Sequence, residues 1–133
     1  MLGKDIDVRV EAEANCLVQG DAAMLEALIG NLLDNAVRYT PERGKVIASV
    51  TDNGATIQLG VRDNGPGVPD EAKERLFDRF YRVARDQPAG SGLGLSIVER
   101  IALLHGATIA LVPGIAEHGF GIEVRFPKAM ASA

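Results

Sequence analysis

Asn31, Asn35 and Arg38 recur at i, i+4 and i+7, so on a helix they share one face. Asparagine is a poor helix former because its side chain competes for backbone hydrogen bonds. Its amide oxygen is, however, a hard ligand of the kind Mg²⁺ accepts while sharing phosphate oxygens and keeping waters. An arginine on the same stripe would bring paired donors to those phosphates. A solvated polar stripe explains the spacing equally well. Asp63 is sharper. In Ile57-Gln58-Leu59-Gly60-Val61-Arg62-Asp63 the apolar residues alternate, and Asp63 falls in their register, aimed at the core side of a strand. An unpaired buried carboxylate is costly, so it needs donors, and the exocyclic amine of adenine is one. An Asp that simply ends the strand before Asn64-Gly65 accounts for the turn but not for the register.

Gly65 and Gly67 flank Pro66. Glycine lets backbone approach a flat ligand closely; a plain surface turn is the competing reading. The run Gly90-Ser91-Gly92-Leu93-Gly94-Leu95-Ser96 leads into a helix. Free backbone N–H groups at a helix N-terminus attract anions, and glycines admit a phosphate to them. No Gly-Lys-Ser/Thr follows, so this is not a P-loop, and it does not directly follow a strand, so it is not a dinucleotide fingerprint. A flexible linker is the alternative. In Leu76-Phe77-Asp78-Arg79-Phe80-Tyr81-Arg82 the two phenylalanines read as packing residues, while Arg79, Arg82 and Arg85 are within reach of a terminal phosphate or form a solvated basic edge, the latter preferred for Arg85. Tyr39 either contacts a ligand or packs with its hydroxyl satisfied. His105 reads as a helix-end capping or packing residue, His118 as a hairpin-loop residue, and no Ser, His and Asp arrangement suggests a triad. The single cysteine, Cys16, excludes an internal disulfide and a thiolate metal cluster; it reads as a small core or edge residue.

The elements that must carry these residues follow from periodicity. Ile6, Val8, Val10 and Ala12 alternate with charged residues and predict a half-buried strand. Leu17-Val18-Gln19 predicts a second, short one. Asp21 then caps a helix from Ala22 to Tyr39, whose apolar arc is Leu25, Leu28, Ile29, Leu32, Leu33 and Ala36 and which Pro41 ends. Lys45 to Thr51 and Thr56 to Asp63 form a hairpin through Asp52-Asn53-Gly54. Asp70 to Phe77 is a short helix entered through Pro69, and Tyr81 to Ser91 an irregular, mobile span. Leu93 to His105 is a long helix closed by Gly106. Thr108 to Val112 and Gly119 to Phe126 are the last strands. The pattern predicts an α+β fold, a two-layer sandwich with helices on one face of a mixed sheet.

The chain's 133 residues suit one domain with one core. A net charge of −4 gives no nucleic-acid footprint, so positive groups for an anionic ligand must be concentrated locally. No apolar run is long enough to span a membrane and the start lacks a signal-peptide core. A cytosolic location is the default expectation, and the abrupt opening into a strand suggests an excised domain.

Taken together, these motifs resemble the catalytic and ATP-binding domain of sensor histidine kinases, with the Bergerat-type fold shared by the gyrase, MutL and heat-shock chaperone ATPases. Asn31-Leu-Leu-Asp-Asn35-Ala-Val-Arg38-Tyr39-Thr-Pro resembles the N box, Asp63-Asn-Gly-Pro-Gly67 the G1 box, Leu76-Phe77-Asp-Arg-Phe80-Tyr-Arg82 the F box and Gly90-Ser-Gly92-Leu-Gly94-Leu95 the G2 box. The resemblance covers nearly the whole of residues 1–133. It implies a sheet of about five mostly antiparallel strands under about three helices, and a lid over roughly residues 68–91. It implies Mg²⁺–ATP, with Asn35 the main metal ligand and Asn31 assisting. Asp63 would bond the adenine amine, Gly65 and Gly67 shape its pocket, and Arg38 and Tyr39 contact phosphates or ribose. Arg82 would reach phosphate, and Gly92, Leu93, Gly94 and Leu95 would lie along the phosphate-binding backbone.

The implied reaction is transfer of the γ-phosphate to a histidine on a separate helical dimerisation domain, with a response regulator downstream. That domain's His-Glu-type motif and any transmembrane domain are absent from this sequence. The fragment is expected to be monomeric and cytoplasmic, its parent a homodimer anchored in the inner membrane. Three other readings stay open: an ATPase switch of the gyrase or MutL type, a degenerate docking module, and a serine kinase of the anti-sigma type. The related ATPases carry a glutamate at the Asn31 position, and an asparagine cannot act as a general base.

Overall fold

The computed structural model describes residues 5–13, 16–78, 94–116 and 118–129. Its elements are β1 (Asp7–Ala12), α1 (Ala22–Tyr39), β2 (Lys45–Asp52), β3 (Thr56–Asp63), α2 (Asp70–Lys73), α3 (Gly94–Leu104), β4 (Thr108–Ile115) and β5 (His118–Pro127). The strands form one sheet in the order β1-β2-β3-β5-β4. β1 runs parallel to β2 and the remaining neighbours are antiparallel. α1 and α3 lie against one face, giving the expected two-layer α+β sandwich with a mixed, mostly antiparallel sheet.

Local chemistry explains α1. The Asp21 carboxylate accepts from the Met24 N–H at 2.9 Å, satisfying a donor the helix leaves orphaned. Leu28, Leu32 and Ala36 form its buried stripe. At the other end the Thr40 hydroxyl, itself buried, donates to the Ala36 carbonyl at 2.6 Å, and Pro41 forbids continuation. In β3 the period-two row Ile57, Leu59, Val61 faces the helices and meets Phe126, Val124 and Ile122 of β5 across the ladder. Val98, Ile101 and Ala102 of α3 close the core over that row.

The other face of the central strands is covered by side chains rather than helices. Glu123 accepts from Gln58 Nε2 at 2.7 Å and from the guanidinium of Arg62 at 2.9 Å, and Arg125 reaches its second oxygen at 3.3 Å. Glu123 is buried by these neighbours. Removing one partner would strand a desolvated charge, so the network fixes β3 against β5.

Three expectations are corrected. Leu17-Val18-Gln19 is not a strand: its one described backbone bond outside regular structure is from the Ala129 N–H to the Leu17 carbonyl at 2.9 Å. β1 is not half-buried. It is the sheet edge beyond the reach of the helices, leaving Val8 46% and Val10 70% exposed. The short helix stops at Lys73 and continues as turns, whereas β4 runs on to Ile115.

Leu28 is fully buried between α1, the sheet and α3. Leu28→Ala is therefore expected to destabilise the domain by about 2–5 kcal/mol, read as a lower urea midpoint at unchanged slope.

Candidate nucleotide site

Asp63 closes the apolar row of β3. It is 4% exposed, with its side chain on the helix side as the register demands. One oxygen, Oδ1, accepts from the Gly65 N–H at 2.9 Å and from the Phe120 N–H at 3.3 Å. Oδ2 has no partner among the described residues. Burial pushes the carboxyl above its ordinary value, and the two N–H groups pull it partly back. A half-satisfied buried carboxylate is a strong demand for one more donor.

The surroundings are shaped around that carboxylate. Gly119 enters β5 at φ +96°, and a Cβ there would strike the Asp63 carbonyl. Sequence reasoning placed Gly119 only at a strand start and missed the role of the Phe120 N–H, since both depend on the β3–β5 pairing. Gly65 packs under the end of α1: a Cβ on it would lie 2.8 Å from the Tyr39 carbonyl. Gly67, at φ +83°, passes beside Gly119. The Asn64 side chain accepts from the Lys45 N–H at 2.8 Å and ties this turn to the start of β2.

Asn35, Asp63, Leu32, Ala36, Val61, Phe120 and Ile122 line one small cavity of about 10 Å³, at the edge of what holds a single water. The Asn35 side chain is half-buried and has no hydrogen-bond partner among the described residues. One turn earlier, Asn31 Nδ2 donates to the Ala27 carbonyl at 2.8 Å, turning Oδ1 toward the start of α3. There a Cβ on Gly94 would sit 3.2 Å from that oxygen. Leu95 is buried in the core, so what α3 presents at this junction is backbone. Arg38 lies on the same α1 face, paired with Asp34 at 2.7 Å. Tyr39 is half-buried at the helix end.

The structure thus brings Asn31, Asn35, Asp63, Gly65, Gly67 and the start of α3 to one junction. Arg82, Gly92 and Leu93, with Arg79, Phe80, Tyr81 and Arg85 and most of the span 68–91, lie outside the described residues. Among the described residues no three His, Cys, Asp or Glu side chains gather to hold a metal. The amide oxygens of Asn31 and Asn35 are hard donors of the kind a hard cation accepts.

The profile of the family described as histidine kinase-, DNA gyrase B-, and HSP90-like ATPase matches residues 20–130, and the chain belongs to that family as an ATP-binding domain of the sensor histidine kinase type. It is 42% identical over 133 residues to the sensor protein kinase PmrB of Pseudomonas aeruginosa, covering 99% of this chain and 28% of PmrB. With the sensor protein QseC of Escherichia coli K12 the identity is 49% over 121 residues, 90% of this chain and 25% of QseC. The mycobacterial sensor histidine kinase MprB superposes with a TM-score of 0.82 at 33% identity, covering 93% of this chain and 84% of that one. Full-length ShkA, solved in complex with AMPPNP, gives 0.76 at 31% identity, covering 96% and 27%. The chain thus spans about a quarter of the length of these curated relatives. No helix among the described residues is long and apolar enough to cross a membrane.

Two outcomes follow from the site's geometry. Because the folded state raises the Asp63 carboxyl above its ordinary value of 3.8, the folded protein holds more protons than the unfolded chain above that pH, and stability falls as pH rises through the window. Asp63→Asn keeps an oxygen for both N–H groups and removes the charge. It is expected to unfold later than wild type at neutral pH, with the difference shrinking as pH falls toward 3.8, measured by denaturant titration. Gly119→Ala forces a Cβ into a left-handed conformation and is expected to cost at least about 1–2 kcal/mol, read as a lower thermal midpoint.

Proposed function

We propose that this domain binds Mg²⁺–ATP at the junction of α1, the Asp63 turn and the start of α3, and donates the γ-phosphate to a histidine on a separate dimerisation domain of its parent kinase. The observation that carries the reading is the buried Asp63 carboxylate, whose Oδ2 has no partner among the described residues: an adenine amine would supply the donor it lacks. Gly65 and Gly67 let the base lie close to backbone. Asn35, whose amide has no described partner, and the Oδ1 of Asn31 are the groups that would hold Mg²⁺, which when bound would neutralise phosphate charge. Arg38 and Tyr39 stand at the helix end nearest the ribose and phosphates, and the backbone N–H groups from Gly94 and Leu95 offer an anion site at the start of α3. Arg82, Gly92 and Leu93 complete the proposed phosphate contacts.

The same residues favour phosphotransfer over hydrolysis. Asn31 has no proton-accepting group of useful basicity, so water activation has no agent there. Phosphoryl transfer asks mainly for positioning and charge stabilisation, which this scaffold supplies. Residues 1–133 would act as one monomeric catalytic domain; the lid proposed over about 68–91 falls mostly outside the described residues. The parent would be a membrane-anchored homodimer, with this domain in the cytoplasm and a response regulator taking the phosphate onward. AMPPNP bound to full-length ShkA supports a nucleotide in the corresponding domain.

ATP titration with and without Mg²⁺ tests the reading. The folded domain is expected to bind in a metal-dependent way. Asp63→Asn should weaken binding about tenfold or more, the cost of a charge-assisted buried hydrogen bond. Asn35→Ala should keep part of the affinity and lose most of the metal dependence. Absence of Mg²⁺-dependent binding by folded protein, or wild-type behaviour of both variants, would sink it. With labelled ATP and a helical histidine domain, label should appear on the histidine; steady phosphate release instead would point to an ATPase.

A further inference from the structure

We propose that His105 is a positioning residue for the nucleotide site: it bolts the C-terminal end of α3 to the N-terminal end of α1, and thereby fixes where the start of α3 stands against Asn31. This rests on the reading that the α1–α3 junction takes the phosphates.

The ring is held from several sides. Nδ1 lies 2.8 Å from the Ile101 carbonyl, and only an N–H can meet a carbonyl there, so Nδ1 carries the proton. Nε2 then has a free lone pair, and it accepts from the Asp21 N–H at 3.1 Å. Asp21 is the residue that caps α1. The ring meets Phe126 of β5 edge-on, with centroids 6.4 Å apart. A Cβ on Gly20 would strike its Cδ2, so the loop entering α1 leaves room for the ring only because residue 20 is glycine. The neighbouring charges are already engaged: the Asp21 carboxylate with the Met24 N–H, and Lys128 with Asp52 at 2.6 Å.

Those contacts define the register of two helices. Asp21 at the start of α1 meets His105 just past the end of α3, while Asn31 in mid-α1 meets Gly94 at the start of α3. The helices therefore run in opposite directions; Leu95, Val98, Ile101 and Ala102 seat α3 on the core, and the His105–Asp21 hydrogen bond fixes how far it slides along α1. An α-helix of eleven residues is a stiff rod roughly 16 Å long. A shift at the His105 end carries through to Gly94, whose backbone stands beside the Asn31 side chain. Apolar packing tolerates a small slide along a helix axis and a directional hydrogen bond does not, so the hydrogen-bonded end sets the position.

The 133-residue chain tests this directly. Long-range ¹H–¹⁵N spectra should show His105 protonated at Nδ1 and bare at Nε2; the opposite tautomer overturns the proposal. His105→Ala should weaken Mg²⁺–ATP binding about threefold to tenfold, the scale of one lost hydrogen bond. Gly20→Ala, which displaces the ring without touching it chemically, should weaken binding in the same direction. His105→Gln, whose amide oxygen can still accept from the Asp21 N–H, should bind within about twofold of wild type on that same scale. Lower melting temperature with unchanged affinity in the first two variants overturns the proposal. Should His105→Ala fail to fold, the tautomer and Gly20→Ala decide. Wild-type protein that binds no Mg²⁺–ATP defeats the site reading itself and this inference with it; binding by wild type and variants alike defeats only the positioning role.

Discussion

A carboxylate in a row of core residues is the constraint on which the rest of this structure depends. Ile57, Leu59 and Val61 commit one face of β3 to the interior, and the period of two carries Asp63 there as well. Burying that charge costs free energy that two N–H groups on a single oxygen only partly offset. The second oxygen has no partner among the described residues. Several apparently unrelated features exist to keep this arrangement: a left-handed glycine where β5 passes Asp63, a glycine under the Tyr39 carbonyl, and an asparagine tying the turn to β2.

The buried Glu123 network on the opposite face belongs to the same logic. The Phe120 N–H reaches Asp63 only if β5 keeps its register with β3, and a slip of one residue would turn the whole row to the other face. Gln58 and Arg62 of β3 meeting the Glu123 carboxylate of β5, with Arg125 of β5 meeting Gln58, make that slip expensive, since it would break these cross-strand bonds at once and leave a buried charge short of partners. A sheet face without helices is thus used to secure chemistry on the face that has them.

Asn31, Asn35, Asp63 and the start of α3 come from three separated stretches of chain, and no two of the three stretches are adjacent in the sequence. What makes them one site is stiffness: a long capped helix, a paired strand and a second helix fastened to the first. The match to the histidine kinase-, DNA gyrase B- and HSP90-like ATPase family spans all three stretches. The chain spans about a quarter of the length of the relatives named as sensor kinases.

Much of this was legible locally. The capped α1, the β2–β3 hairpin and the register of Asp63 all follow from periods and end signals that span a few residues, and the three glycine- and asparagine-rich motifs pointed to the nucleotide. The errors arose where a pattern needs a partner to have meaning. Alternation in β1 predicted a buried face, yet nothing in residues 7–12 tells whether a helix will cover it, and none does. Leu17-Val18-Gln19 has strand composition but finds no ladder. Gly119 and the Phe120 N–H, 57 residues from Asp63, and His105, 84 residues from Asp21, acquire their roles only through contact. The sequence by itself determined which residues could do chemistry, because residue type and short-range period are written in it. Only the tertiary structure decided which of them meet and which charges stay half-satisfied, because those depend on distances across the core between segments that no local pattern relates.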